Sequence, residues 1–478
     1  MMNRKKIIQG VGISMLFLLV SACGVPKLTQ KEVNKEIPAS YNSSRDTLNS
    51  ATINWKEFFT DPHLNRLIDT ALANNQELNI ILQELQIAKN EVQAKKGEYL
   101  PFVGLRGGAG FEKSGRYTRN GAVEESLNIK DEKTMPDPLP DYMLGAYATW
   151  EIDIWHKLRN SKKAAVMNYL SSVEGKNFMT TNLIAELANS YYELLALDNQ
   201  LDIVQRNVAI QTNALKIVRL QKEATRVTSL AVRKFEAEVF HTRSLQYEIQ
   251  QEITEKENRI NFLVGRFPQH VERSNKNFDT LIPKKIHTGL PAQLLENRPD
   301  IKQAELELSA AKLNIKVAKA RFYPSLGISA GIGFQAFDPS YLLKTPESLL
   351  YSLAGDLTAP LINRNAIKAA YSSANAKQIQ AVYNYERSIL KAYIEVANQL
   401  AKIDNLEKSY NLKAQEVEAL TKSINIANDL FKSARADYME VLLTQRDALE
   451  SKFELVETKK NQLNALVDMY QALGGGWN

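Results

Sequence analysis

Apolar residues recur at two different periods along this chain, and the change from one to the other marks its elements. From about Asn160 to Ala224 there is no proline and a single glycine, Gly175. Over that stretch apolar side chains return every seven residues, as Leu187, Leu194, Leu201, Val208 and Leu215, with a companion seam of Leu183, Leu197, Val204 and Val218. The same spacing reappears in Ile403, Tyr410, Val417, Ile424 and Phe431. Heptads sustained this long predict helices packed along one another as in a coiled coil. The 65 residues would make a rod of roughly 100 Å at the helical rise per residue. Shorter partner helices are expected over Leu230 to Val264 and Met439 to Leu473.

Elsewhere the period is two, which predicts strands. After Pro101, Val103, Leu105, Ala109 and Phe111 alternate with Gly104, Arg106, Gly108 and Gly110. Leu326, Ile328, Ala330, Ile332 and Phe334 alternate with Ser325, Gly327, Ser329, Gly331 and Gly333. Two further runs, one with Leu144, Ala146, Ala148, Trp150, Ile152 and Ile154 and one with Leu353, Leu357 and Leu361, complete the set. The expected strands are therefore 101–111, 142–154, 324–335 and 351–361. Each is about the length that crosses a bilayer when tilted, with one apolar face and one small or polar face. By pattern alone a soluble sandwich with one buried face fits equally well. If the strands do span, four cannot close a barrel, and lipid does not tolerate open edges; several protomers must then share one barrel. A plain coiled-coil scaffold accounts for the helices but not for the paired strands.

The strands sit at matching points of an internal duplication, the feature to seek before local structure. Residues 84–111 align without a gap on residues 307–334 at an offset of 223, pairing Pro101 with Pro324, Gly104 with Gly327 and Phe111 with Phe334. Farther on the offset is 209, pairing Glu186 with Glu395, Asn189 with Asn398 and Gly265 with Gly474. The first copy thus holds 14 extra residues. Residues 112–141, with Gly115, Gly121, Pro136, Pro138 and Pro140, are expected to be the long loop that carries them.

The 478 residues are 44% hydrophobic and 24% charged, which suits a folded chain of more than one domain. At the N-terminus, Arg4, Lys5 and Lys6 precede an apolar run from Ile7 to Val20 that is too short for a permanent span, the pattern of an export signal. It ends in Val20-Ser21-Ala22-Cys23, which resembles a bacterial lipobox, so Cys23 is expected to be lipidated and to begin the mature chain. An ordinary secretory signal with a chance cysteine is the alternative. Gly24 in place of an aspartate points to outer-membrane sorting. Removing the signal takes three basic residues from a formal charge of +6, leaving nothing that argues for nucleic acid. Cys23 is the only cysteine, so no intrachain disulfide can form.

One further set of residues points to a family. Gly289-Leu290-Pro291, Asn297-Arg298-Pro299-Asp300-Ile301, Ala304-Glu305 and Ala318-Lys319-Ala320-Arg321-Phe322-Tyr323-Pro324 resemble the central signature of TolC-like outer-membrane efflux lipoproteins. Trp55, Phe58, Leu64, Leu67, Ile68, Ala71, Leu72, Asn74, Asn75 and Leu78 fit the N-terminal part, and Ala472 to Trp477 the end. The resemblance implies a mainly α protomer with transmembrane β, four strands and long coiled-coil-like helices. It implies a homotrimer forming a 12-stranded barrel and a periplasmic α-helical tunnel. The duct would conduct passively, joined through a periplasmic adaptor to an inner-membrane transporter of the resistance–nodulation–division type. The expected plan is a signal over 1–22, an anchored extended leader over 23–54, repeats over 55–270 and 291–478, and a linker over 271–290.

In that family the tunnel narrows at the turns between long and short helices, here near Glu223 to Leu230 and Lys432 to Leu443. The resemblance makes Asp437, Met439, Glu440 and Leu443 the gate candidates. Glu440 matches an acidic position of some relatives, whereas Leu443 stands where a second acid is common, so Met439 and Leu443 would supply apolar rings instead. As residues alone, Asp437 and Glu440 read equally as solvated surface charges. No enzyme is expected: His63, His156, His241, His270 and His287 lack metal-like spacing, and there is no P-loop or G-x-S-x-G. No cofactor is expected beyond covalent lipid on Cys23, and no partner beyond those named and outer-membrane lipid.

Overall fold

A computed structural model describes residues 24–29, 31–41, 48–274, 278, 281, 286–433 and 435–477. The export signal, Cys23 and Ala434 lie outside the described residues. In chain order the main elements are α1 (Pro62–Asn74), α2 (Gln76–Tyr99), β1 (Phe102–Glu112), α3 (Arg119–Ser126), β2 (Asn128–Lys130), β3 (Lys133–Thr134) and β4 (Leu139–Ile152). There follow α4 (Lys157–Glu223), α5 (Ser229–Val264), α6 (Pro299–Ala320), β5 (Ser325–Ala336), β6 (Leu349–Thr358), α7 (Asn365–Lys432) and α8 (Tyr438–Ala472). The described chain forms two compact units, each drawing on both copies of the repeat.

The first unit comprises the described part of Met1–Glu32 with Gln86–Leu170 and Leu306–Tyr383. Its centre is a four-stranded antiparallel sheet in the order β1-β4-β5-β6. The strand ends have local causes. Alternation runs on to Ile154 in the sequence, but Asp153 leaves the ladder: its carboxylate accepts the N–H groups of Leu158 and Arg159, each at 2.9 Å, and opens α4. β6 stops at Thr358, two residues before Pro360, which has no N–H to give a ladder. Residues 112–141 are not a plain loop. Thr118 caps α3 by accepting the N–H of Gly121 at 3.2 Å, and a two-stranded hairpin, β2–β3, follows. Gly121 must be glycine, because a Cβ there would lie 2.2 Å from the Gly115 carbonyl oxygen.

The leader is extended and docked on this unit. Val25 and Leu28 pack on a cluster of Ile315 and Ala318 of α6, Phe322 in the turn after it and Tyr371 of α7. The α7 amides of Asn375 and Gln378 donate to the carbonyls of Thr29 at 3.0 Å and Lys31 at 3.1 Å, filling the hydrogen bonds that extended backbone leaves open.

The second unit comprises the described parts of Val33–Leu85, Ser171–Glu305 and Asn384–Asn478. Its main core joins Leu64, Ile68 and Ala71 of α1 to Ile184, Leu187, Tyr191 and Leu194 of α4, with Ile260 and Leu263 of α5 and Leu463 and Val467 of α8. The leader continues here, where Tyr41 is buried and stacks on Tyr393 at 5.3 Å.

Matching contacts show the duplication in three dimensions. Asn75 Nδ2 donates to the Leu263 carbonyl at 2.9 Å, and at the corresponding positions Arg298 Nη1 donates to the Ala472 carbonyl at 2.9 Å. Gly265 and Gly474, at φ 76° and 91°, end α5 and follow α8 against the carbonyls of Asn74 and Asn297. A Cβ on Gly474 would come within 2.6 Å of the Asn297 oxygen, in a backbone conformation that L side chains disfavour. Gly474→Ala is therefore expected to cost about 2 kcal/mol or more, read as a lower unfolding midpoint in detergent; an unchanged midpoint would contradict this packing.

Candidate functional site

Strand register decides which side chains share a face. Across the sheet, Leu105 pairs with Ala146, Ala146 with Ile332, and Ile332 with Tyr351; two residues along, Val103, Ala148, Ala330 and Leu353 make the next row. Every member of both rows is apolar or aromatic. On the opposite face Gly104, Tyr147, Gly331 and Ser352 form one row, and Glu151, Gly327 and Asp356 another. The apolar face is not a covered core: Leu105 is 83% exposed and Leu353 79% exposed. Both outer strands, β1 and β6, have one neighbour each, so one ladder of N–H and C=O groups on either side is unpaired within the chain.

A second feature lies in the other unit, at the turns α4–α5 and α7–α8. Each turn carries the same backbone bond, Arg226 N–H to Gln221 O and Arg435 N–H to Leu430 O, both 2.9 Å. Thr228 caps α5 through the Ala231 N–H at 3.3 Å. Asp437, in the matching position before α8, makes no side-chain cap and is exposed; its carbonyl accepts the Glu440 N–H at 3.2 Å. The two turns are joined by one apolar cluster, in which Leu215, Val218, Val232, Phe235, Val239 and Leu442 are buried, with Phe431, Tyr438 and Met439 packed against it.

The four gate candidates therefore separate. Glu440 and Leu443 are exposed, three residues apart, and share a face of α8. Met439 is half-buried in the cluster and helps bind one turn to the other. Asp437 sits in the turn itself. Asp447, which sequence reasoning passed over, lies seven residues after Glu440 and is exposed, so it continues the acidic line. The heptad spacing of the two acids was the available signal.

Above the turns the apolar packing is interrupted. A separate cluster holds Leu197, Val204 and Ile249, with Leu201, Val208, Leu245 and Phe453 against it. Between the two clusters stand Gln211 on α4, Thr242 on α5 and Gln445 on α8, buried to 0%, 0% and 3% exposure. Among the described residues none of their side-chain polar atoms has a hydrogen-bond partner. An unsatisfied buried polar group costs about 1–3 kcal/mol, so this layer weakens the seam between the two apolar clusters.

Among the described residues no helix is long and apolar enough to cross a membrane, and no group of three His, Cys, Asp or Glu side chains is placed to hold a metal ion.

The family model for outer membrane efflux proteins matches residues 67–266 and 290–475. The chain belongs to the outer membrane efflux protein family. It is similar to the pyoverdine export outer membrane protein OpmQ of Pseudomonas aeruginosa, 26% identical over 88% of this chain and 87% of that one. It is also similar to the probable outer membrane lipoprotein SilC of Salmonella typhimurium, 25% identical over 98% of both. In fold it resembles the crystal structure of the Campylobacter jejuni CmeC outer membrane channel, with a TM-score of 0.83 at 18% identity, covering 94% of each chain.

For this efflux protein, then, the exposed apolar face of the sheet is the face that meets lipid, and the alternation has an experimental consequence. A lysine at the bilayer midplane costs roughly 2–4 kcal/mol on a lipid-facing strand position. Leu353→Lys is expected to abolish most stable outer-membrane assembly, while Ser352→Lys, one residue away on the other face, is expected to leave it near wild type. Equal assembly of the two, measured in outer-membrane fractions, would contradict the assignment of faces.

Proposed function

We propose that this protein works as a homotrimeric exit duct, lipidated at Cys23 and coupled to an inner-membrane transporter of the resistance–nodulation–division type through a periplasmic adaptor. As an outer membrane efflux protein it conducts small compounds outward and catalyses no reaction. The observation that carries the proposal is the four-stranded sheet with one apolar exposed face and both edges unpaired. Such a sheet cannot remain open in lipid. Three copies of four strands close a ring, β6 of one copy on β1 of the next. Heptad-spaced apolar side chains exposed on the helices, Ile210 and Ile217 on α4 and Phe240 and Tyr247 on α5, support further burial against other copies of this chain. The lipobox residues Val20 to Cys23 support the anchor.

The gate follows from the two turns. Threefold symmetry repeats Glu440 and Leu443 as rings at one level, and a ring of carboxylates focuses a negative potential on whatever passes. Met439 ties the turns together, so they move as one body. The unsatisfied layer of Gln211, Thr242 and Gln445 is the level at which that body separates from the rest of the seam. In the closed state its amides have no partner, and opening admits water to them. Adaptor contact at the turns would draw on this stored cost to shift the balance toward open.

Purified protein in planar bilayers tests the reading. The wild type is expected to show discrete conductance steps, and Glu440→Ala to lower cation selectivity about twofold or more; unchanged selectivity would remove Glu440 from the gate. Gln211→Leu with Gln445→Leu is expected to raise the unfolding midpoint and to lengthen closed dwell times. Leucines that leave both unchanged would show that the polar layer is not the opening level. Absence of conductance from every variant would contradict the duct itself.

A further inference from the structure

Arg106 stands alone in the middle of the polar face of the membrane sheet. Its row across the strands is Arg106, Gly145, Gly333 and Leu350, and on its own strand the same-face neighbours are Gly104 and Gly108. The two cross-strand glycines are required by close backbone approach: a Cβ on Gly333 would lie 2.6 Å from Gly145 Cα, and one on Gly145 would lie 2.9 Å from the Ile332 oxygen. The guanidinium thus has no side chain directly across from it on β4 or β5; Met143 and Tyr147 stand two residues to either side of Gly145 on the same face. Among the described residues no hydrogen bond or ion pair reaches it, and the residue is exposed. The clearing opens into a groove of about 660 Å³ lined on this face by Arg106, Tyr147, Thr149, Ser329 and Ser352 together with Met143 and Leu350.

Other charges on this face are far off or engaged. Glu151 and Asp356 share a row three same-face steps away, about 20 Å at the rise of a strand. Glu151 pairs with Lys157, and Asp356 accepts from Thr358 Oγ1 at 3.2 Å. Asp141 lies two such steps the other way and accepts from Gln335 Nε2 at 2.8 Å. Both separations exceed the Debye length of about 8 Å at physiological salt. A barrel of twelve tilted strands has a backbone radius of roughly 12 Å, so three inward arginines bring their heads within a Debye length of the axis.

We propose that Arg106 and its glycine-floored groove form a transit subsite for anionic groups, carboxylates or phosphates, on solutes leaving through the barrel. This rests on the channel reading above. The planar guanidinium presents paired N–H donors to such groups, and the hydroxyls of Tyr147, Ser329 and Ser352 line the same groove. Weak, repeated attraction of this kind admits an anion without retaining it.

Reversal potentials in a KCl gradient test the subsite, and a potassium benzoate gradient extends the test to a carboxylate. Arg106→Gln is expected to shift the permeability ratio toward potassium about twofold or more with either anion, and Arg106→Lys to keep most of the wild-type value. An Arg106→Gln channel with the wild-type reversal potential would overturn the proposal. Asp356→Asn is the control, because β6 of a neighbouring copy closes on β1. Its effect and that of Arg106→Gln are expected to add. An Arg106→Gln effect that vanishes in the Asp356→Asn background would show the guanidinium neutralised in an ion pair, and would also overturn the proposal. Wild-type protein without any conductance would instead defeat the channel reading, and the subsite with it.

Discussion

A backbone N–H or C=O left unpaired in hydrocarbon costs several kcal/mol, and the sheet leaves two whole ladders unpaired, one along β1 and one along β6. The rest of the account depends on this. A single copy cannot place these strands in a membrane; a closed ring of copies can. Closure makes every side chain part of a ring, and the roles proposed for Glu440 and Arg106 need that ring. It also explains why large side chains such as Leu105 and Tyr351 are tolerated bare on one face, while the other mixes glycine and serine with Arg106, Tyr147 and Asp356.

The duplication supplies the ring economically, because each copy of the repeat provides one hairpin of helices and two strands. The two copies have nonetheless diverged where their short helices dock. Asn75 satisfies the Leu263 carbonyl with a neutral amide. At the matching place Arg298 is buried and holds Asp300 through two bonds of 2.9 and 2.7 Å and Glu395 through one of 2.6 Å, besides the Ala472 carbonyl. Burial is the largest influence on its charge and disfavours it, but the hydrogen bonds and attraction of Asp300, with Glu395, prevail and hold the guanidinium above its ordinary value. Removing Arg298 would leave Asp300 and Glu395 without their shared partner, a loss that is costly where the group removed is buried.

Much of this was legible in the sequence. The seven-residue spacing located α4 to within a few residues but only the C-terminal part of α7, whose heptads were read from Ile403 although the helix begins at Asn365. Period two located the spanning strands, although only register could show that Leu105, Ala146, Ile332 and Tyr351 form one row. The insert at 112–141 was read as loop because its glycines and prolines hide an eight-residue helix held by Thr118 and a hairpin too short to show a period. Of the gate candidates, Glu440 and Leu443 share a face of α8, as their three-residue spacing implies. Met439, by contrast, is half-buried against a cluster that brings Phe235 of α5 together with Leu442, an arrangement that no local pattern announces. Gln211 occupies the seam position between Val204 and Val218, and its meaning emerges only when Thr242 and Gln445 are seen at the same gap on two other helices.

Everything above turns on closure by three copies. Electron microscopy of the full-length protein extracted in mild detergent tests that directly. The account predicts threefold particles with a hollow axis and a continuous twelve-stranded ring in which β6 of each copy pairs with β1 of the next. A monomeric particle, or an assembly in which those edge strands remain unpaired around no lumen, would contradict it.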